Sequence, residues 1–176
     1  LSGVAFRAAV RTLNRKGSWP WEIQDQDITI TANQRFSTVT GAIKKPLRMH
    51  YLDEAGGTPD EPVIYMPYPV FIEQYSLDVS GQAHTYTLPN LFETGQIRWF
   101  PVPSANDNAR FTYYRVTPAP LAETETIEIP DYAIEAYMSR AWYEFVKRLG
   151  AAQRPFPIEV AMAEARTAVR ELSAPI

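Results

Sequence analysis

Apolar residues recur along this chain with two periods, and the switches between them divide it. From Ser2 to Lys16 the period is helical: Phe6, Ala9, Val10 and Leu13 share one side, with Ser2 as N-cap and Gly17 as stop. Trp19-Pro20-Trp21 breaks that helix and starts extended structure. Trp21 and Ile23 share one strand face, and Ile28 and Ile30 share another. The two pairs are out of register, so a bulge is expected near Asp25-Gln26. Ala32-Asn33-Gln34 reads as a turn, Leu47, Met49 and Tyr51 as a half-buried strand, and Asp53 to Pro62 as a loop. Residues 67–75 have the spacing of a short helix that Pro69 interrupts. Further strands are expected at 84–88, 96–100, 109–116 and 126–129, with turns at 88–90 and 104–108.

The helical period returns after Pro130. Ile134, Tyr137, Met138, Ala141, Trp142, Phe145 and Leu149 form one apolar stripe, with the i,i+4 pairs Arg140–Glu144 and Glu144–Arg148 on the other side. Gly150 ends this helix and Pro155 and Pro157 mark a corner. Ile158, Ala161, Met162, Ala165, Val169 and Leu172 then make a second stripe, antiparallel to the first. The expected class is α+β. Residues 1–19 and 131–176 form a helical bundle from both ends of the chain, and an antiparallel β-sandwich or barrel-like module, residues 20–130, is inserted between them.

Composition narrows what such a fold does. The 176 residues include no cysteine, which removes disulfides, thiolate metal sites and a cysteine nucleophile together. Fifteen prolines against eight glycines, with abundant aromatics, describe an ordered chain with fixed corners. Neither a membrane-length apolar run nor a secretory signal is visible, so no membrane anchor is expected. Leu1 is not a start methionine, so the expectation is that a true beginning precedes it.

Charge is segregated. Residues 1–50 carry eight bases and three acids, a balance of +5; the remainder carries nine bases and 17 acids, a balance of −8. A chain positive at one end and negative at the other suits head-to-tail association of copies. Arg7, Arg11 and Arg15 stand at i+4 spacing, a like-charge row that costs a few tenths of a kcal/mol per pair in isolation. An acidic protein or a nucleic acid would offset that cost; a solvated face favoured by the helix C-terminus is the other reading.

Candidate chemistry is sparse. His50 and His84 have no second ligand at metal-binding spacing, and Gly56-Gly57 precedes no lysine-bearing helix, so no metal, cofactor or phosphate cradle is expected. Asp25 with Asp27, or Glu123, Glu125 and Glu128, could flank a sugar bond, but both sets read more simply as wet strand faces. Trp99, Phe100, Tyr113 and Tyr114 could form a sugar or single-strand stacking platform. Alternation turns one of each adjacent pair inward, and the outward pair could equally anchor a protein interface. The expectation is a protein that assembles rather than an enzyme.

In order and punctuation the chain resembles the head-to-tail adaptors of tailed phages, most closely the tail-tubular type. The matching positions are Trp19 and Trp21 after the first helix, Gly81 to Tyr86 (GQAHTY), Ile97 to Pro103 (IRWFPVP) and Phe111 to Tyr114 (FTYY). Pro118 to Leu121 (PAPL) and Ile127 to Tyr132 (IEIPDY) complete the set, leading into two terminal helices. Ala83 stands where the family pattern has proline, and Asn33, Phe36 and Thr38-Val39 replace its usual first hairpin. The resemblance implies a homo-oligomeric ring, typically a dodecamer, in the neck of a virion and made in the host cytoplasm. Such a ring docks on the portal protein, extends the channel for double-stranded DNA without sequence specificity, and presents a platform for the tail nozzle or next neck protein. Contacts by that analogy fall on Arg7, Arg11, Arg15, Trp19, Trp21, Arg166 and Arg170. The alternatives are another phage neck or tail structural protein, or a carbohydrate-binding β module.

Overall fold

Helical periodicity becomes helix and alternation becomes sheet across residues 3–52, 59–75, 79–91, 95–120, 129–149 and 157–172, which the structure, a computed structural model, describes. The fold is α+β, with helices at both termini and largely antiparallel sheets. It divides into two compact units: Leu1–Gly17 with Thr117–Ile176, and Ser18–Val116.

The helical unit contains α1 (Gly3–Lys16), α3 (Asp131–Arg148) and α4 (Ile158–Leu172). α3 packs against both α1 and α4. Ala9, Val10 and Leu13 are buried on α1 as the spacing predicts, joined by Ala5, while Phe6 is half-buried. Asn14 is also buried, and its side-chain amide clasps Thr117. Its Nδ2 donates to the Thr117 carbonyl at 2.8 Å and its Oδ1 accepts from the Thr117 amide at 3.1 Å. That two-way bond satisfies a buried polar side chain and joins the two sequence segments of this unit. It also explains why the chain rejoins the helical unit at Thr117, well before the Pro130 corner read from sequence.

The inserted unit opens with a single 3₁₀ turn, Pro20–Glu22, and is a two-sheet structure. One sheet runs β1 (Ile23–Ile30), β10 (Asp107–Arg115), β3 (Ile43–Leu52) and β4 (Pro59–Pro62), all antiparallel. The other runs β2 (Phe36–Val39), β8 (Gly95–Phe100), β7 (Thr85–Thr87) and β5 (Ile64–Tyr65), antiparallel except for β5 on β7. A short parallel pair joins β6 (Ser80–Gly81) and β9 (Val102–Pro103). Ile28, Ile30, Met49, Phe111 and Tyr113 from the first sheet meet Val39, Tyr86, Ile97 and Trp99 from the second in one core. At Gly95 an added Cβ would sit against the Val39 carbonyl oxygen and 2.7 Å from that of Gly41, so only glycine permits the close approach of β2.

Several local expectations change. β1 pairs residue for residue with β10 from Ile23 to Ile30, without the bulge near Asp25-Gln26. Trp21 belongs to the 3₁₀ turn, and Ile23 faces solvent, so the two apolar pairs never compete for one face. The irregularity lies opposite, on β3. Arg48 pairs with Thr112 and Pro46 with Tyr113, which skips Leu47 and leaves it 43% exposed. Pro46 has no amide to offer the ladder, so the bulge falls there. Pro69 does not interrupt a helix; it stands in the first turn of α2 (Tyr68–Gln74), where the missing N–H costs nothing. Pro59–Pro62, read as loop, is the edge strand β4, a place that tolerates proline. The strand expected at 126–129 falls almost wholly outside the described residues, as do Gly56, Gly57 and Gly150.

Candidate assembly surfaces

α3 departs from its apolar stripe. Ala133, Ala136, Tyr137, Ala141 and Val146 are buried, whereas Ile134 and Met138 are each 43% exposed and Trp142 and Phe145 are half-exposed. The buried face is turned toward the alanines because α3 serves two neighbours, and small side chains let both approach closely. Glu144, expected on the wet side, is buried beside half-buried Arg140, whose Nη2 donates to its Oε1 at 2.7 Å. The Arg140 guanidinium also lies 4.7 Å from the Tyr143 ring centre. A carboxylate paired with a guanidinium and hydrogen-bonded to it tolerates that burial. Trp142 and Phe145, both half-buried, stack at 5.6 Å. α3 therefore leaves Ile134 and Met138 exposed, two large apolar groups one turn apart of the kind that marks interaction surfaces.

Two shallow grooves of opposite charge lie on this unit. Arg7, Arg11 and Arg15 border the first with Val4, Ala8, Thr12 and Arg148 of α3, around a volume of about 330 Å³. Thus the three nominated arginines of α1 share one groove, and a fourth cation not nominated from sequence joins them. The second groove lies between α3 and α4, around about 540 Å³, and carries Glu135, Glu164 and Glu171 among small residues. Glu135 and Ser139 from the first half of α3 lie there beside Ala163 to Glu171 of α4, as an antiparallel helix pair requires. Only the i,i+7 spacing of Glu164 and Glu171 signalled this acidic row in advance. Arg166 and Arg170 are exposed on α4 but line neither groove.

The inserted unit places its nominated residues differently. Trp19 is buried and stacks in parallel on half-buried Trp21 at 5.4 Å, so its ring serves packing. This turn is pinned by Glu22, whose Oε2 accepts from the Trp19 amide at 3.0 Å and from Lys44 Nζ at 2.7 Å. The Glu22 and Lys44 side chains are 0% and 5% exposed, so removing Glu22 would strand the buried Lys44 ammonium, at about 3–5 kcal/mol.

Nominated carboxylates are occupied by sheet pairing. Asp27 accepts two bonds from Arg110, at 2.8 and 3.1 Å, and Asp25 accepts from Thr112, each directly across the strand. The Arg110 hydrogen bond holds the Asp27 carboxyl below its ordinary range, opposite to what a general acid needs. Glu123, Glu125 and Glu128 lie outside the described residues. Nor do the aromatics form an open platform. Trp99 and Tyr113 are core residues, and Phe100 is covered by Tyr75, stacked at 3.9 Å, with Phe71 edge-on. His84 is exposed against the Phe100 edge, His50 is half-buried, and no group of three potential metal ligands occurs among the described residues. No helix among them is long and apolar enough to cross a membrane.

Compared with known families, residues 4–174 match the model described as SU10 adaptor protein. The comparison with curated proteins found no match.

Proposed function

Since the chain belongs to the SU10 adaptor protein family, and so has the structural role of a phage adaptor, we propose that its copies form a ring docked beneath the portal in the virion neck. The ring continues the DNA channel and receives the tail nozzle or next neck protein on its far side. A dodecamer is the stoichiometry that the adaptor resemblance implies. On this reading the chain turns over no substrate. DNA passes without sequence readout, against a lining that must not grip phosphate strongly. The N-terminal arginines, together with Arg166 and Arg170, supply contacts to neighbours, and Trp21 contributes what surface its stacking leaves.

The observation that carries this reading is the outer side of α3. The alanines of α3 take its packed face while Ile134 and Met138 stay 43% exposed, two large apolar groups that a neighbouring chain would cover. The test is mass measurement on the free chain, on the portal protein of the same phage, and on their mixture. The free chain is expected to be monomeric or weakly associated, and the mixture to hold a closed ring on the portal. Failure to bind the portal protein refutes the role.

A further inference from the structure

Within that ring reading, we propose that adjacent copies join head to tail through the two grooves of the helical unit. The arginine-lined face of α1 in one copy seats on the acidic α3/α4 groove of the next. The sites differ, so each copy offers one of each, and a heterologous contact repeated with a closing rotation makes a ring rather than a two-fold dimer.

Geometry and chemistry agree on this partner. Arg7 to Arg15 is eight helical steps, about 12 Å, and Glu164 to Glu171 is seven, about 10 Å, so the rows are commensurate. Each row stands on one helix face, with i+4 steps on α1 and an i+7 step on α4. Four cations border the first groove and three carboxylates the second. Ala163 and Ala168 keep the floor of the acidic groove low enough for a helix to approach, and Val4, 46% exposed, gives the basic face an apolar contact.

The chain has no cysteine, so introduced thiols report this contact cleanly. The double variant Arg11→Cys/Glu164→Cys, treated with a short bismaleimide at low ionic strength, is expected to give a ladder of covalent multimers. A control pair, Arg11→Cys/Gln82→Cys, gives at least tenfold less. In the ladder-forming background, Arg7→Glu/Arg15→Glu and Glu135→Lys/Glu171→Lys each suppress the ladder about tenfold, and all four together restore it. Circular dichroism checks folding, and the corresponding glutamine variants replace any reversal that unfolds. An absent ladder, one no stronger than the control, or no recovery in the combined reversal overturns the proposal. So does an undiminished ladder accompanied by loss of duplex DNA retention in Arg7→Glu/Arg15→Glu, which would assign the groove to phosphate. Portal binding without a ladder removes this contact but leaves the adaptor role; a ladder without portal binding does the reverse.

Discussion

At the scale of single residues, burial decides which polar groups are held in a fixed state. Tyr51 is 5% exposed and its hydroxyl donates to the Ala83 carbonyl at 2.6 Å. Burial, reinforced by the negative charge of Asp107, pushes its phenol up to about 12 from an ordinary value of 10.0. Burial also raises Tyr86 and Tyr113. The folded chain therefore keeps these protons where the unfolded chain releases them. The stability Tyr51 confers is whole below about pH 10 and is lost as pH rises through about 12, with a slope up to about 1.4 kcal/mol per pH unit, and Tyr86 and Tyr113 act in the same direction. Urea midpoints should therefore fall between about pH 9 and about pH 11, and Tyr51→Phe should flatten that fall. An unchanged midpoint over the interval would show that these phenols titrate alike in both states.

Among the elements, α3 shows what a hydrophobic pattern can and cannot tell. Its existence, length and partner helix were legible, because seven apolar residues at helical spacing admit no other regular structure. Which apolar residues face inward was not. A stripe of this kind does not separate residues a helix buries in its own chain from those it leaves exposed, and the alanines that pack between α1 and α4 are too small to dominate it. Trp142 is the test. As a core residue its replacement by alanine would remove about 3–5 kcal/mol, the loss expected for buried Trp99. Half-buried and stacked on Phe145, Trp142→Ala should remove only about 1–2 kcal/mol in the free chain and weaken assembly more. Equal losses at Trp142 and Trp99 in urea titrations would place this side of α3 in the protomer core. In the strands, alternation located β1, β7, β8 and β10, while the β3 bulge and the edge strand β4 escaped because proline reads as a breaker wherever it occurs. The acidic groove escaped for another reason: its three carboxylates come from two helices, and only packing brings them together.

For the molecule as a whole, the order of segments has a consequence for folding. The inserted unit, Ser18–Val116, holds a continuous core drawn from both of its main sheets, and the buried Glu22–Lys44 pair belongs to the same unit. Among the described residues, its members all come from the strands of that unit and the segments between them. The helical unit is assembled from segments separated by about a hundred residues, a closure whose entropy the inserted unit lessens by holding its own chain folded. Asn14 and Thr117 are the clasp. A fragment of residues 18–116 should therefore fold alone, with a single cooperative urea transition and intact near-ultraviolet aromatic bands. A fragment of residues 117–176 should not, because without α1 the packed side of α3 loses one of its two partners and Thr117 loses its two bonds to Asn14. Adding a peptide of residues 1–17 should recover part of its helical signal. If 117–176 instead melted cooperatively by itself, α1 would be dispensable to the bundle, and its arginines would be carried on an arm rather than on a fixed face.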